Sequence, residues 1–582
     1  MTLPLLLFLV QDSGPIAPEA CADCHEAIVS AYRETGMARA LEPIRPDEFA
    51  GLAPLSEPGT GLVYALEGSG ERARIVESLA TPGGAPHRLS APLAFAVGAG
   101  VQDRSYAALR HGRLWFAPLE VVSGSENRSR RAALAPGHSM RSGLRFGVPI
   151  TPECLSCHTD SLPRRDFPLN LDPRARGAWT PNGISCGACH AGAREHASWR
   201  EASLAGREAP GADPIQDLSF LPRTRRLSIC AACHLQGDVR IELGEVGLPP
   251  RGDDLLQHRA IFVAREATSE VGFVSQVERM VLSRCYLESA AFPGGGLTCE
   301  TCHDPHRPLP DVRERERARA ACTSCHAEVQ GDAKPAGACS LDEDARRASG
   351  CADCHLPERN VFDVEGVTIH DHWIRKDPGP APPRAKLRFP ESPTGDWKRF
   401  QWPDAPPPAH DDDAGLWMMA FYQGGHQDRA REFLAKPASA AVQGIPMFHH
   451  VRGALFEGAG RLAEARAAYE RALELAPELG ESATNLGIVL GRLGEARRGI
   501  ELLSGFLEAH PRADGVLRNR AVLRQSLGDA EGALADLERA MEFAPDAAVA
   551  RVIASLYEQR GWADRAAFYR DEARRLDPIG GE

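Results

Sequence analysis

Seven segments of the chain read C-x-x-C-H: Cys21-Cys24-His25, Cys154-Cys157-His158, Cys186-Cys189-His190, Cys230-Cys233-His234, Cys299-Cys302-His303, Cys322-Cys325-His326 and Cys351-Cys354-His355. They use fourteen of the sixteen cysteines. A random order of the same residues yields about 0.01 such segments, so the pattern is one chemical requirement met repeatedly. Cysteines three apart lie one helical turn apart, where each thiol can add to one vinyl group of a haem. The adjoining His then faces the iron as proximal ligand. Zinc ribbons also use C-x-x-C pairs, but they do not require His after every second Cys. The sequence therefore predicts seven covalent haem c groups. It also predicts a chain that matures in the periplasm or another extracytoplasmic compartment, where such attachment takes place.

At 582 residues the chain has material for about four domain-sized units. Its net charge of −12 gives no basic footprint for a phosphate backbone, so no nucleic acid partner is expected. Residues 1–17 read as a signal segment or a truncated one: Leu3 to Val10 is apolar, but no Lys or Arg precedes it and no clean small-residue cleavage site follows. Eight apolar residues cannot span a bilayer, which takes about 20. An uncleaved N-terminus leaves peripheral membrane attachment open.

The first two motifs are 133 residues apart, and the later intervals are 32, 44, 69, 23 and 29. Short β-type runs at 62–66, 73–79 and 113–116, broken by Gly-containing turns, predict a small antiparallel β insert over about 60–122. The stretch from Cys154 to His355 is rich in Gly, Pro and Arg and reads as mostly irregular and short-helical, with haems as core material. A heptahaem domain is thus expected over 18–375, followed by a Pro-rich extended linker over 376–412. Beyond it the chain repeats. Pro477, Pro511, Pro545 and Pro578 recur at intervals of 34, 34 and 33, and Gly460, Gly494, Gly528 and Gly561 share them. Ala465, Ala533 and Ala566 each follow a turn glycine by five, and Gly453 and Gly487 supply the small contact on the preceding helix. This is the tetratricopeptide period, so 413–582 is expected to be an all-α solenoid whose opening repeat is degenerate, with Gly425 followed by Ala430. Such stacks present a concave surface for protein segments.

As a whole, residues 18–578 resemble bacterial multihaem c-type cytochromes with C-terminal tetratricopeptide repeats, related in their haem part to the tetrahaem cytochromes that carry electrons for hydroxylamine oxidation. The resemblance rests on Tyr32 to Arg39 (YRETGMAR), Arg104-Ser105-Tyr106, Thr301-Cys302-His303-Asp304-Pro305-His306 and Asp371-His372. It implies Met37 as a distal ligand near the first motif. Two elements depart from the family pattern: Val101-Gln102-Asp103 stands where a His often precedes Arg-Ser-Tyr, and Cys189-His190-Ala191-Gly192-Ala193 where C-H-G-P-G is common.

Each six-coordinate iron needs a second ligand, from His or Met. His196 and His306 lie too close to their own motifs to reach the far face of the same haem, so each is expected to serve a neighbour. His372 and His138 complete the leading candidates, ahead of His370, Met280 and His258, while His87 and His111 sit beside turn glycines and read as surface residues. Because Gln102 replaces a His, the haem facing Gly98 to Tyr106 is expected either to be closed by His138 or His111, or to be open, with Arg104, Tyr106 and His138 as donors to a bound anion. The two remaining cysteines, Cys285 and Cys339, read as one disulfide. Two functions follow: an electron carrier with seven haems, docked to a redox partner through its repeats, or an oxidoreductase acting on a small nitrogen or oxygen compound at one open haem. The carrier is the leading expectation.

Overall fold

The computed structural model describes residues 16–580 except 81–85, 124–129, 139–142, 163–166, 177–178, 208–210, 245, 267–269, 291–294, 310–311, 327–349, 365–366, 380–394 and 411–412. The expected signal segment and Cys339 therefore lie outside the described residues, apart from the last two positions of the former.

After a first helix, Glu19–Tyr32, which carries the first motif, the chain enters a nine-stranded antiparallel sheet. Its strands are β1 (Leu41–Glu42), β2 (Leu55–Ser56), β3 (Val63–Glu67), β4 (Arg74–Leu79), β5 (His87–Val97), β6 (Asp103–Arg110), β7 (Arg113–Phe116), β8 (Leu119–Val122) and β9 (Arg131–Leu134). The order is β2-β3-β4-β5-β6-β8-β9, with β1 on β5 and β7 on β6. Tyr64, Ile75, Phe95, Tyr106 and Val121 are buried from it. The β unit is thus wider than the expected 60–122: β1 and β2 are two-residue pairings without periodicity, and β9 reads as polar and small. Hydrogen bonding, which sequence pattern does not report, extends the sheet.

From Cys154 to His355 the elements are short helices and turns, with two additional small sheets. One joins β10 (Val239–Glu242), β11 (Arg259–Ala264) and β14 (Trp397–Arg399), and the other joins β12 (Glu358–Asn360) and β13 (Thr368–His370). Side chains also form a core here: Leu227, Leu255, Ile261, Val277, Tyr286 and Trp402 share one buried cluster. That cluster includes Met280, which is 7% exposed, so its environment is aliphatic packing. The expected linker is corrected as well. Within 376–412, β14 pairs with β11, and Trp397, Phe400 and Trp402 are buried, so this stretch is structural and not a spacer.

The C-terminal region is helical. Helices Pro446–Gly458 and Leu462–Leu475, Gly480–Arg492 and Ala496–Ala509, Asp514–Ser526 and Ala530–Phe543, and Ala547–Gln559 and Ala563–Leu576 form four antiparallel pairs, preceded by Ala414–Gln423 and Gln427–Glu432. A Cβ on Gly453 would stand 2.6 Å from the Tyr469 ring, which is why the paired helices approach so closely there. The turn glycines at 460, 494, 528 and 561 all have φ between 73° and 81°, a conformation that side chains disfavour. The solenoid packs against the rest of the chain at both ends. Trp417, Phe421 and Phe448 join Phe262 and Trp397 in one cluster. The turns between repeats meet the nine-stranded sheet, where Arg113 pairs with Asp514 at 2.5 Å and Phe167 packs on Phe506.

Candidate functional site

The fold brings the seven motifs together in a connected series. Cys186 lies beside Cys21, Cys157 beside Cys233, Cys230 beside Cys299, and Cys322 beside Cys351, each pair close enough to interact. Cys189 interacts electrostatically with Cys230, and Cys302 with Cys322. In motif order these contacts link 1 to 3, 3 to 4, 2 to 4, 4 to 5, 5 to 6 and 6 to 7, with motif 4 as the branch point. Exposed cysteines occur in motifs 1, 2, 6 and 7, as Cys24, Cys154, Cys325 and Cys354. The ends of the series and motif 6 therefore reach the surface, while motifs 3, 4 and 5 have no exposed cysteine. Burial is the main cause that pushes Cys186, Cys189 and Cys322 up to about 12, so these thiols are neutral. Cys285 also interacts with Cys322 and Cys325, and burial raises its thiol.

Histidines divide by the ring nitrogen they spend on the protein. His158 uses Nδ1 on the carbonyl of Ala40 (3.3 Å), and His355 uses Nδ1 on that of Arg375 (2.7 Å). His196 and His306 likewise turn Nδ1 to the carboxylates of Asp213 (2.7 Å) and Asp304 (3.2 Å). His370 and His372 turn Nδ1 to the carbonyls of Leu356 and His370. In all six the bonded nitrogen is Nδ1, and an Nδ1 partner is the usual support of an imidazole that ligates through Nε2. His87, His138 and His258 do the reverse, spending Nε2 on Glu77, the Arg145 carbonyl and Asp253. His138 is corrected on this ground. It is buried in the sheet-bearing lobe, interacts with Arg145, Pro136 and Glu57, and anchors a turn there. His111 sits at φ 50° with its carbonyl bonded to Arg512 at the solenoid contact.

Two histidine pairs bring a motif histidine near a second imidazole. His190 and His306 have ring centres 6.0 Å apart and planes 14° apart, and His303 and His372 have centres 6.3 Å apart and planes 35° apart. Imidazoles on opposite sides of one metal ion stand about 6 Å apart, from two bonds of about 2 Å and two nitrogen-to-centre distances of about 1 Å. The spacing of both pairs thus matches that of two imidazoles on opposite sides of one metal in a porphyrin. Burial lowers His190, His158 and His234, and it brings His372 down to about 4, which keeps these rings neutral and able to ligate. His25 and His326 are exposed, and His234 lies beside Gln276. The carbonyl of half-buried Met37 accepts from Ile184 N, just before the third motif.

His372 is held by a buried clamp that sequence reading missed. Asp371, fully buried, accepts from Arg279 at 2.8 and 2.7 Å and from Arg375 at 2.9 Å. Trp373 lies between the same two guanidiniums, 5.2 and 4.3 Å from its ring centre. Arg104 and Tyr106 are buried as well, tied to Glu42 and Glu48 away from His138.

Residues 291–331 match the doubled CXXCH motif family, and residues 446–479 match the tetratricopeptide repeat family. No curated protein matches the chain. Solved structures similar to it include MamA of MSR-1, with 23% identity over 28% of this chain and 95% of that one at a TM-score of 0.25. MamA 41-end from Desulfovibrio magneticus RS-1 has 15% identity over 30% and 100% at 0.27. YrrB, a TPR protein with an unusual peptide-binding site, has 19% identity over 28% and 85% at 0.25. The chain therefore carries a CXXCH pair of the haem-binding type and a tetratricopeptide segment of the kind that serves protein interaction.

Proposed function

We propose that this protein is an extracytoplasmic multihaem cytochrome that moves electrons along seven covalently held haems and docks a redox partner through its repeats. The observation that carries the reading is the pairing of His190 with His306 and of His303 with His372 at the spacing of two ligands on one iron. On this reading His190 and His306 hold the third haem, His303 and His372 the fifth, and His25, His158, His234, His326 and His355 are the remaining proximal ligands. Met37 and His196 are further distal ligands. Haem c supplies reversible one-electron chemistry at each centre. The chain's own residues fix the geometry: Asp213, Asp304 and the Ala40 and Arg375 carbonyls orient the imidazoles, and burial keeps His158 neutral.

The motif contacts support a forked route, with surface entries at motifs 1 and 2 converging on motif 4 and a single arm running through 5 and 6 to 7. Residues 18–375 supply the haem ligands, while 413–582 form the docking arm. Intact mass of the purified, acid-acetone-extracted protein tests the count: seven haem equivalents above the polypeptide are expected, and five or fewer would overturn the reading. The oxidoreductase reading keeps one specific support, the absence of a His at Gln102. Cyanide added to the oxidised protein separates the two, since a carrier with every iron closed shows no spectral change.

A further inference from the structure

Between the segment 39–48 and the nine-stranded sheet lies a cavity of about 190 Å³, lined chiefly by Arg39, Arg45, Arg104 and Arg130 with Asp47 and Glu48. Four guanidiniums there are set against three carboxylates, because Glu42 pairs with Arg39, Arg45 and Arg104 while Glu48 pairs with Arg104 and Arg130. Among the described residues one positive charge is left over. The ion pairs also leave donors unused. Arg104 is 2% exposed, and its Nε makes no hydrogen bond, standing 3.5 Å from Glu48; the buried Nε of Arg39 makes none either, at 3.6 Å from Glu42. Both Nε atoms thus hold a carboxylate only at long ion-pair distance, and an acceptor in the cavity would satisfy hydrogen-bonding capacity that those pairs leave unmet.

The backbone shapes the cavity around those donors. Gly100, at φ +76°, brings the β5–β6 turn against Arg104, and a Cβ there would stand 3.4 Å from Arg104 Cδ and 3.6 Å from its Nη1. Ser123 Oγ fixes the same turn by donating to the Gly100 carbonyl at 3.0 Å. Arg39 reaches across from the other wall, with its Nη2 on the Ala99 carbonyl at 3.3 Å.

We infer that this cavity is a binding site for a small inorganic oxyanion, held by Arg39 and Arg104 inside and by Arg45 and Arg130 at the rim. The class follows from charge and size: planar guanidiniums pair with oxyanions through parallel N–H groups, and the volume admits a tetrahedral or trigonal anion with a few waters, which average about 30 Å³ each. Asp47 limits affinity by facing the anion. The inference is read from polypeptide donors, and anion binding and haem content are measured separately, so either can fail without the other.

Calorimetric titration of the full-length purified protein with inorganic phosphate tests it, with sulfate and nitrate as parallel arms. One saturable equivalent is expected, and the arms rank the anions by charge and shape. Arg39→Gln inside the cavity and Arg130→Gln at its exposed rim should each weaken phosphate by about tenfold with no change in melting temperature, and Asp47→Asn should tighten it several-fold. Absence of saturable binding for all three anions up to about 10 mM would overturn the inference, as would unchanged affinity in Arg39→Gln, Arg130→Gln and Asp47→Asn alike.

Discussion

The imidazole of His306 lies nearly parallel to that of His190, ring centres 6.0 Å apart, although 116 residues separate them in the chain. Each ring is set independently: His190 follows Cys189 at the end of a 3-10 turn, and His306 is oriented by Asp304 on its Nδ1. The edge of Tyr32 packs beside His306, with centres 6.4 Å apart, and the Tyr32 hydroxyl donates to the Ile184 carbonyl at 2.8 Å. The first helix, the third motif and the fifth motif therefore meet at one place.

His306→Met should raise the potential of one centre, because a thioether stabilises the reduced iron relative to a second imidazole. His306→Ala should turn one low-spin centre high-spin. Spectroelectrochemical titration reads the first and electron paramagnetic resonance the second. Identical titrations for wild type and variant would remove His306 from the ligand set.

Asp371 carries the position of His372, and losing it leaves Arg279 as a buried cation without its carboxylate. Asp371→Ala is expected to cost about 3–5 kcal/mol and to disturb the centre attached through Cys299 and Cys302. Burial alone would raise the Asp371 carboxyl, but Arg279, the Trp373 amide and Arg375 hold it below the usual value. A group lowered on folding contributes above its unfolded pKa of about 3.9 and loses that contribution as pH falls through its folded value, so the clamp is specifically acid-sensitive. Asp371→Asn should abolish that acid limb while retaining partial order at His372, measured as spin state against pH.

The motifs and the repeats were legible because each is local: three residues in a fixed order, or one residue type at a fixed period. His306 and His372 were also legible as candidates, since both follow short turns near a motif. Which motif each faces was not, because that depends on tertiary closure over 116 residues for His306 and 69 for His372. His138 was misread because its turn context matches that of a ligand; only the hydrogen bond from Nε2 to the Arg145 carbonyl distinguishes it. Proline content hid β14, although Trp397, Phe400 and Trp402 within six residues were a signal of burial. The clamp on Asp371 was illegible because Arg279 is 92 residues away.

Within the solenoid, His450 is buried, shares a 2.9 Å hydrogen bond with Ser482 and lies beside Tyr469, and burial brings its pKa down to about 4. An unfolded His titrates near 6.5, so between these values the unfolded chain binds a proton that the folded one refuses. Stability is then fully present above about pH 6.5 and falls by about 3 kcal/mol as pH drops to 4. His450→Gln should flatten that limb. Urea unfolding followed by far-ultraviolet circular dichroism at pH 7 and pH 4.5 checks it, and equal pH dependence in both proteins would show that other groups dominate.

The junction at Trp397 yields the last prediction. Trp397 stacks on Phe421 with ring centres 5.5 Å apart and packs edge-on against His426 at 5.3 Å, while Phe262 of β11 meets Trp417 at 4.8 Å. Gly424 permits the approach, since a Cβ there would stand 2.3 Å from the Trp397 ring. The opening helix Ala414–Gln423 is therefore built to be covered on this side, and Leu416, Met419 and Phe421 lose that cover if the chain is cut at 413. A 395–582 fragment retains Trp397 and should be more stable than 413–582 by about 2 kcal/mol, from the burial of one indole and its partners. In the full chain Trp397→Ala should cost about 3–5 kcal/mol, and Gly424→Val should be destabilising through the same contact. Thermal melts of the two fragments and two variants decide the point. Equal melting of 395–582 and 413–582 would mean that the stretch before 413 is a passive connection after all, and that the solenoid's first helix is stabilised from within the repeats.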